Sequence, residues 1–175
     1  MKTVLITGIG GDIAQGVATI IKENRPDIGL IGTDMNLEHG GTIFVDDVLQ
    51  VPAASSAGYL ERVREIINTH SVDAVIPMSE PELSVFAPLI DELGENRCIT
   101  AGKDVIATGI DKLETMSTLA SLGIPIPWSI EAGQEIPSEF PCIFKAQRGS
   151  GSKNVFVVET HDEAVFLSSK FPDSI

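Results

Sequence analysis

Residues 3 to 34 constrain the fold more than any other stretch. Thr3 to Thr7 is an apolar, β-branched run, the pattern of a buried strand. Gly8-Ile9-Gly10-Gly11-Asp12 is a tight turn. Ile13, Val17, Ile20 and Ile21 then recur at the spacing of one helical face, which predicts a helix from Ile13 to about Glu23. Pro26 prevents its continuation. Ile28 to Thr33 is a second strand, ending at Asp34. Strand, helix, strand is the crossover unit of a parallel sheet, expected to be right-handed.

The rhythm continues to about residue 102. A loop from Met35 to Thr42 leads to a short strand around Val48 to Val51. Tyr59, Leu60, Val63, Ile66 and Ile67 mark an amphipathic helix. Ala74 to Pro77 reads as a buried strand. Ser79-Glu80-Pro81-Glu82 opens a helix running to about Leu93, and Gly94 stops it. Cys98 to Thr100 is a short strand. The class this implies is α/β, with a doubly wound, Rossmann-like parallel sheet in residues 1–102.

Residues 103–175 follow another pattern. Lys103 to Gly109 is a short helical turn. Asp111 to Leu122 is a helix, with Leu113, Met116, Leu119 and Ala120 on one face. Asp111 and Glu114 are spaced as a capping box, and Gly123 supplies the stop. Ile124-Pro125-Ile126-Pro127 is an extended connector. Trp128 to Ile130 is a further strand candidate. Two strands, Cys142 to Ala146 and Val155 to Val158, flank a glycine-serine loop. Thr160 to Glu163 caps a last helix carrying Ala164, Val165 and Leu167.

Composition excludes several functions. Twelve basic residues against 25 acidic give a net charge of −13, which argues against nucleic acid or an anionic membrane as partner. No apolar run approaches the ~20 residues of a membrane span. Cys98 and Cys142 lack metal-like spacing and read as reduced thiols, so a cytoplasmic location is expected. His39, His70 and His161 are not spaced as metal ligands, and no metal site is expected in this chain.

Three groups of residues suit chemistry. Gly10, Gly11 and Asp12 open a helix after a strand, where backbone N–H groups receive anions. Asp34 lies near the spacing of about 20 residues at which a Rossmann acid meets a ribose. Ile13, however, stands where a third glycine belongs, and a ligand-free turn fits equally. Ser79, Glu80 and Glu82 follow a strand, where α/β folds bind ligands, but they also form a helix cap. The third group is Lys112, Lys145, Arg148 and the loop Gly149-Ser150-Gly151-Ser152. Lys112 sits in the first turn of a helix, against the dipole. Lys145 ends an apolar strand, where an unpaired cation is costly to bury. The loop offers close backbone approach and two hydroxyls, and Lys153 adds a cation. Cations beside such a loop suit a phosphate chain. A hairpin with solvated ends is the plain alternative.

Asp111-Lys112, a helix, Gly123 to Pro127, then Pro141 to Lys145 and a Gly-Ser loop resemble the ATP-grasp ligases, in particular proteins similar to the large subunit of carbamoyl phosphate synthase. Their usual run is roughly Lys-Pro-Arg-x-Gly-Ser-Gly-Ser-Lys/Arg-Gly-Val. Here Ala146 replaces the proline, Gln147 the arginine and Asn154 the last glycine. The resemblance implies a domain preceding the ATP-grasp fold in residues 1–102 and an incomplete first ATP-grasp subdomain in 103–175. It implies that Lys112 and Lys145 contact ATP, that the loop closes over its phosphates, and that ATP comes with Mg2+. It further implies activation of a small-molecule carboxylate as an acyl phosphate, attacked by an amine. The family's Mg2+ ligands and adenine hinge match nothing in this sequence. The expectation is therefore a fragment, silent alone, completed by further chain or by a second chain, or working as a homo-oligomer.

Two rival readings stand beside this one. A NAD(P)-binding oxidoreductase is suggested by Thr7 to Gly11 and Asp34, although the single tyrosine, Tyr59, lacks a lysine four residues on. The other is a non-catalytic nucleotide-binding module. No H-E-x-x-H, G-x-S-x-G or Walker A run occurs.

Overall fold

The computed structural model describes residues 2–94, 96–149, 151–152 and 154–175. The chain divides into two compact units, Met1–Lys103 and Asp104–Ile175.

The first unit is built on a parallel sheet. Strand β1 (Lys2–Thr7), helix α1 (Asp12–Asn24) and strand β2 (Ile28–Asp34) form the crossover unit. A 3-10 turn at Gly40–Ile43 leads to β3 (Asp47–Gln50), then α2 (Tyr59–Thr69) and β4 (Ala74–Ile76). The strand order is β3-β2-β1-β4, and every pairing is parallel. Cys98 adds one parallel bridge beyond Val75, rather than the strand expected from Cys98 to Thr100. The sheet core consists of Ile6, Ile9, Ala14, Ala18, Leu30 and Val45. Tyr59, Val63, Ile66 and Ile67 bury the inner face of α2.

Two sequence expectations change here. The buried face of α1 is Ala14 and Ala18, with Val17 and Ile21 packed beside them, whereas Ile13 and Ile20 are 68% and 62% exposed. Small residues let the helix approach the sheet closely, and the larger Ile13 and Ile20 fall outside that contact. The helix expected from Ser79 to Leu93 is broken into α3 (Glu80–Leu83) and α4 (Ala87–Leu93). Pro88 explains the break: it has no N–H to continue a helix, and it sits where a new helix begins.

The second unit contains α5 (Lys103–Gly109), whose first residue closes the preceding unit, α6 (Lys112–Ser121), β5 (Cys142–Lys145), β6 (Val155–Val158) and α7 (His161–Lys170). The strands β5 and β6 pair antiparallel. Phe144, Val158, Ala132 and Ala164 form the core, with Phe156 stacked on Phe171 at 5.9 Å. On α7, Val165 is exposed while Ala164 is buried. Ala120 of α6 is exposed too, and no residue of that helix is fully buried. Trp128 to Ile130 forms no strand; its residues line a cavity beside β5. Asp173 to Ile175 runs antiparallel along β5, with Lys145 and Ile175 exchanging both backbone hydrogen bonds. Among the described residues, no helix is long and apolar enough to cross a membrane.

Candidate functional site

A cleft of about 330 Å3 opens at the carboxyl ends of β1, β2 and β4. Gly11, Asp34, Ser79 and Glu82 line it together, with Gly8, Tyr59 and Pro81. The fold thus brings three separate candidate segments to one edge. Glu80 begins α3 and does not line the cleft. Asp12 is exposed and accepts a hydrogen bond from Ile13 N at 2.9 Å.

The N–H groups of Ile9, Gly10 and Gly11 are already taken by the protein's own acceptors. Gly10 N donates to Asp34 Oδ2 at 2.9 Å, and Asn36 N donates to Oδ1 at 3.1 Å. Gly11 N donates to Gly8 O and Ile9 N to Thr33 O, both at 3.0 Å. A side chain at position 10 would press on Asp34 and His39. The donor a pyrophosphate would take and the acid a ribose would take are thus bonded to each other. That geometry does not suit a dinucleotide.

Glu82 is also engaged. Its buried carboxylate accepts three hydroxyls at 2.7 Å: Tyr59 on Oε1, Thr7 and Ser79 on Oε2. A buried charge is tolerable when it is bonded this fully. Burial pushes the Tyr59 phenol well above its ordinary range, and the neighbouring carboxylate adds to the effect. Ser79 Oγ caps α3 by accepting from Glu82 N at 3.4 Å. Thr7 and Tyr59 were not legible as site residues, because nothing in their spacing links them to Glu82.

In the second unit, the glycine loop is joined to α6. Lys112 Nζ donates to Gly149 O at 2.9 Å and lies 3.4 Å from Gln147 O. Lys112 N donates to Gln147 O at 3.0 Å. Two loop carbonyls thus account for a cation in the first turn of a helix. Asp111 caps α6 through Leu113 N and Glu114 N; its own N–H goes to Thr108 O, so the reciprocal half of the capping box is replaced. Gln147 Nε2 and Arg148 Nε also reach the Asp111 carboxylate. Burial pushes that carboxyl up, but hydrogen bonds from Gln147, Glu114 N and Arg148 outweigh it and hold it below the usual range.

Gly149 and Gly151 have φ of 119° and 72°, and Ser152 and Asn154 each 55°, all in the left-handed region. Ser150 and Lys153 lie outside the described residues. Lys145 is half-buried, not enclosed in apolar core. Strand alternation gives the reason: Phe144 and Val158 face inward, while Lys145 shares the outer face with Ile143, Val155 and Val157. Ile143 is 53% and Val157 65% exposed, so the outer face is an apolar platform with a lysine at one end. Sequence reading took Ile143, Val155 and Val157 only as strand formers. Among the described residues, no group of three or more acidic, histidine or cysteine side chains is placed to hold a metal ion.

Residues 4–101 match the family described as PylC-like, N-terminal domain. The chain belongs to that family. Outside this PylC-like domain the likeness continues. The chain is 27% identical to a carbamoyl-phosphate synthase of Methanobrevibacter smithii, a match spanning 95% of this chain and 46% of that protein. Among solved structures, an N5-carboxyaminoimidazole ribonucleotide synthetase in complex with ADP superposes with a TM-score of 0.74 at 17% identity, over 97% of this chain and 45% of that one. An L-amino acid ligase from Bacillus licheniformis gives a TM-score of 0.71 at 17% identity, covering 97% and 42%. At such identities the shared feature is the fold. The PylC-like domain and the unit after it together span less than half the length of each of these relatives.

Proposed function

We propose that this chain is the N-terminal portion of a cytoplasmic, ATP-dependent carboxylate-amine ligase. In this reading the second unit holds the phosphates of ATP. Lys112 and Lys145 supply positive charge, Arg148 screens at the rim, and Gly149, Gly151 and Ser152 lie along the phosphate chain. The outer face of β5 and β6, with Ile143, Val155 and Val157, offers an apolar surface to the base. The observation that carries the reading is the 2.9 Å contact of Lys112 Nζ with Gly149 O, which brings a distant lysine to the glycine loop. Phosphoryl transfer asks mainly for positioned positive charge, and an acyl phosphate formed from a small carboxylate is then open to an amine. The described residues offer no ligand set for Mg2+, so in this reading its ligands come from outside them. Likeness to an ADP-bound synthetase and to a carbamoyl-phosphate synthase supports the reading.

Thermal shift tests it. MgATP is expected to raise the unfolding temperature, NADH to leave it unchanged, and Lys145→Ala to remove the MgATP response. Stabilisation by NADH alone would overturn the proposal. An undiminished MgATP response in Lys145→Ala would remove that lysine from the site.

A further inference from the structure

The buried Asp111 carboxylate is where α6 and the base of the glycine loop meet. One part of its bonding is a helix cap: Oδ1 accepts from Leu113 N at 3.0 Å and from Glu114 N at 3.2 Å. The rest lies outside the helix. Gln147 Nε2 reaches both oxygens, at 3.0 and 2.9 Å, and Arg148 Nε reaches Oδ2 at 3.0 Å. A cap needs neither contact, because the two helix N–H groups already satisfy it. Gln147 carries no charge, so neutralising Asp111 is not its role either; Arg148 does that.

The consequence is positional. Gln147 and Arg148 lead directly into the loop, and Gln147 O receives Lys112 N at 3.0 Å. With that segment fixed, Lys112 Nζ reaches Gly149 O and Gln147 O. An ammonium has three donors; among the described residues, loop carbonyls take two of them.

We infer that Asp111 and Gln147 are positioning residues: they fix the base of the glycine loop against Lys112, so that the lysine holds the loop and brings its charge to a phosphate oxygen. This rests on the nucleotide-phosphate reading given above.

Asparagine caps a helix about as well as aspartate. Asp111→Asn therefore keeps the cap but turns an amide donor toward Gln147. Gln147→Glu sets a second carboxylate against Asp111. The double variant D111N/Q147E restores a donor and acceptor pair with the roles exchanged. Two readouts apply: hydrogen exchange at the Gly149, Gly151, Ser152 and Asn154 amides without nucleotide, and titration with MgATP. Each single variant is expected to speed loop exchange roughly tenfold, the scale of one net hydrogen bond, and to weaken MgATP binding. Exchange in α7 should not change, and the double variant should recover most of both losses. Unchanged loop exchange in both single variants, or no recovery in the double, overturns the inference. If the unaltered chain does not bind MgATP, the phosphate reading fails, and the exchange measured without nucleotide still decides whether the clamp exists.

Discussion

The Tyr59 hydroxyl donates to Glu82 Oε1 at 2.7 Å, joining the first residue of α2 to α3 beneath the cleft. Thr7 and Ser79 complete the arrangement on Oε2. One acid thus ties the end of β1, the start of α2 and the start of α3. Each partner is a hydroxyl, so no counter-cation is needed within the fold.

Loss of this centre should be costly to stability. Tyr59→Phe removes one hydrogen bond to a charged group, a loss of about 1.5–3 kcal/mol. Glu82→Ala leaves three hydroxyls without their acceptor and should cost more, about 3 kcal/mol or above. Urea unfolding measures both. Equal stability of Glu82→Ala and the unaltered chain would show that the carboxylate does not organise this region.

Two glycines should respond in opposite directions to alanine. A Cβ at Gly41 would overlap the Ile9 carbonyl, a main-chain atom with no room to yield, and press on the His39 ring. Gly41→Ala should destabilise by about 1–3 kcal/mol. Gly16 lies exposed within α1 with nothing near its Cβ position. Gly16→Ala should stabilise by about 0.5–1 kcal/mol, the helix-interior cost of glycine. Thermal denaturation of the pair checks the contrast.

Acid should weaken the second unit through Asp111. Its folded carboxyl titrates below the ordinary range. The stability it contributes is therefore complete above the unfolded value of about 3.9. It is lost as pH falls through the lower, folded value. Asp111→Asn should be less stable than the unaltered chain near neutrality, and the gap should narrow as pH drops below about 4. Urea unfolding from pH 3 to 7 tests this, and a gap independent of pH would count against it.

The first unit was legible because its signals are local. Ile28 to Asp34 reads as a buried strand from its own residues, and Tyr59 to Ile67 declares an amphipathic helix. Where the fold departs from periodicity, a competing local feature decides. Pro88 broke a helix that periodicity alone carried through to Leu93. Ile13 and Ile20 matched a helical stripe by hydrophobicity, yet Ala14 and Ala18 make the contact, because close packing of a helix on a sheet selects for small size.

The sequence by itself determined the opening strand, turn, helix and strand, the parallel class of the first unit, and a lysine on either side of a glycine-serine loop. Those follow from periodicity, from proline and glycine stereochemistry and from charge, all properties of neighbouring residues. Only the tertiary structure decided what the candidate groups do with their hydrogen bonds. It bonded Asp34 to Gly10, enclosed Glu82 among three hydroxyls, and set Lys112 on the Gly149 carbonyl. Such pairings join residues far apart in the chain, and a polar group's availability depends on which partner folding brings to it.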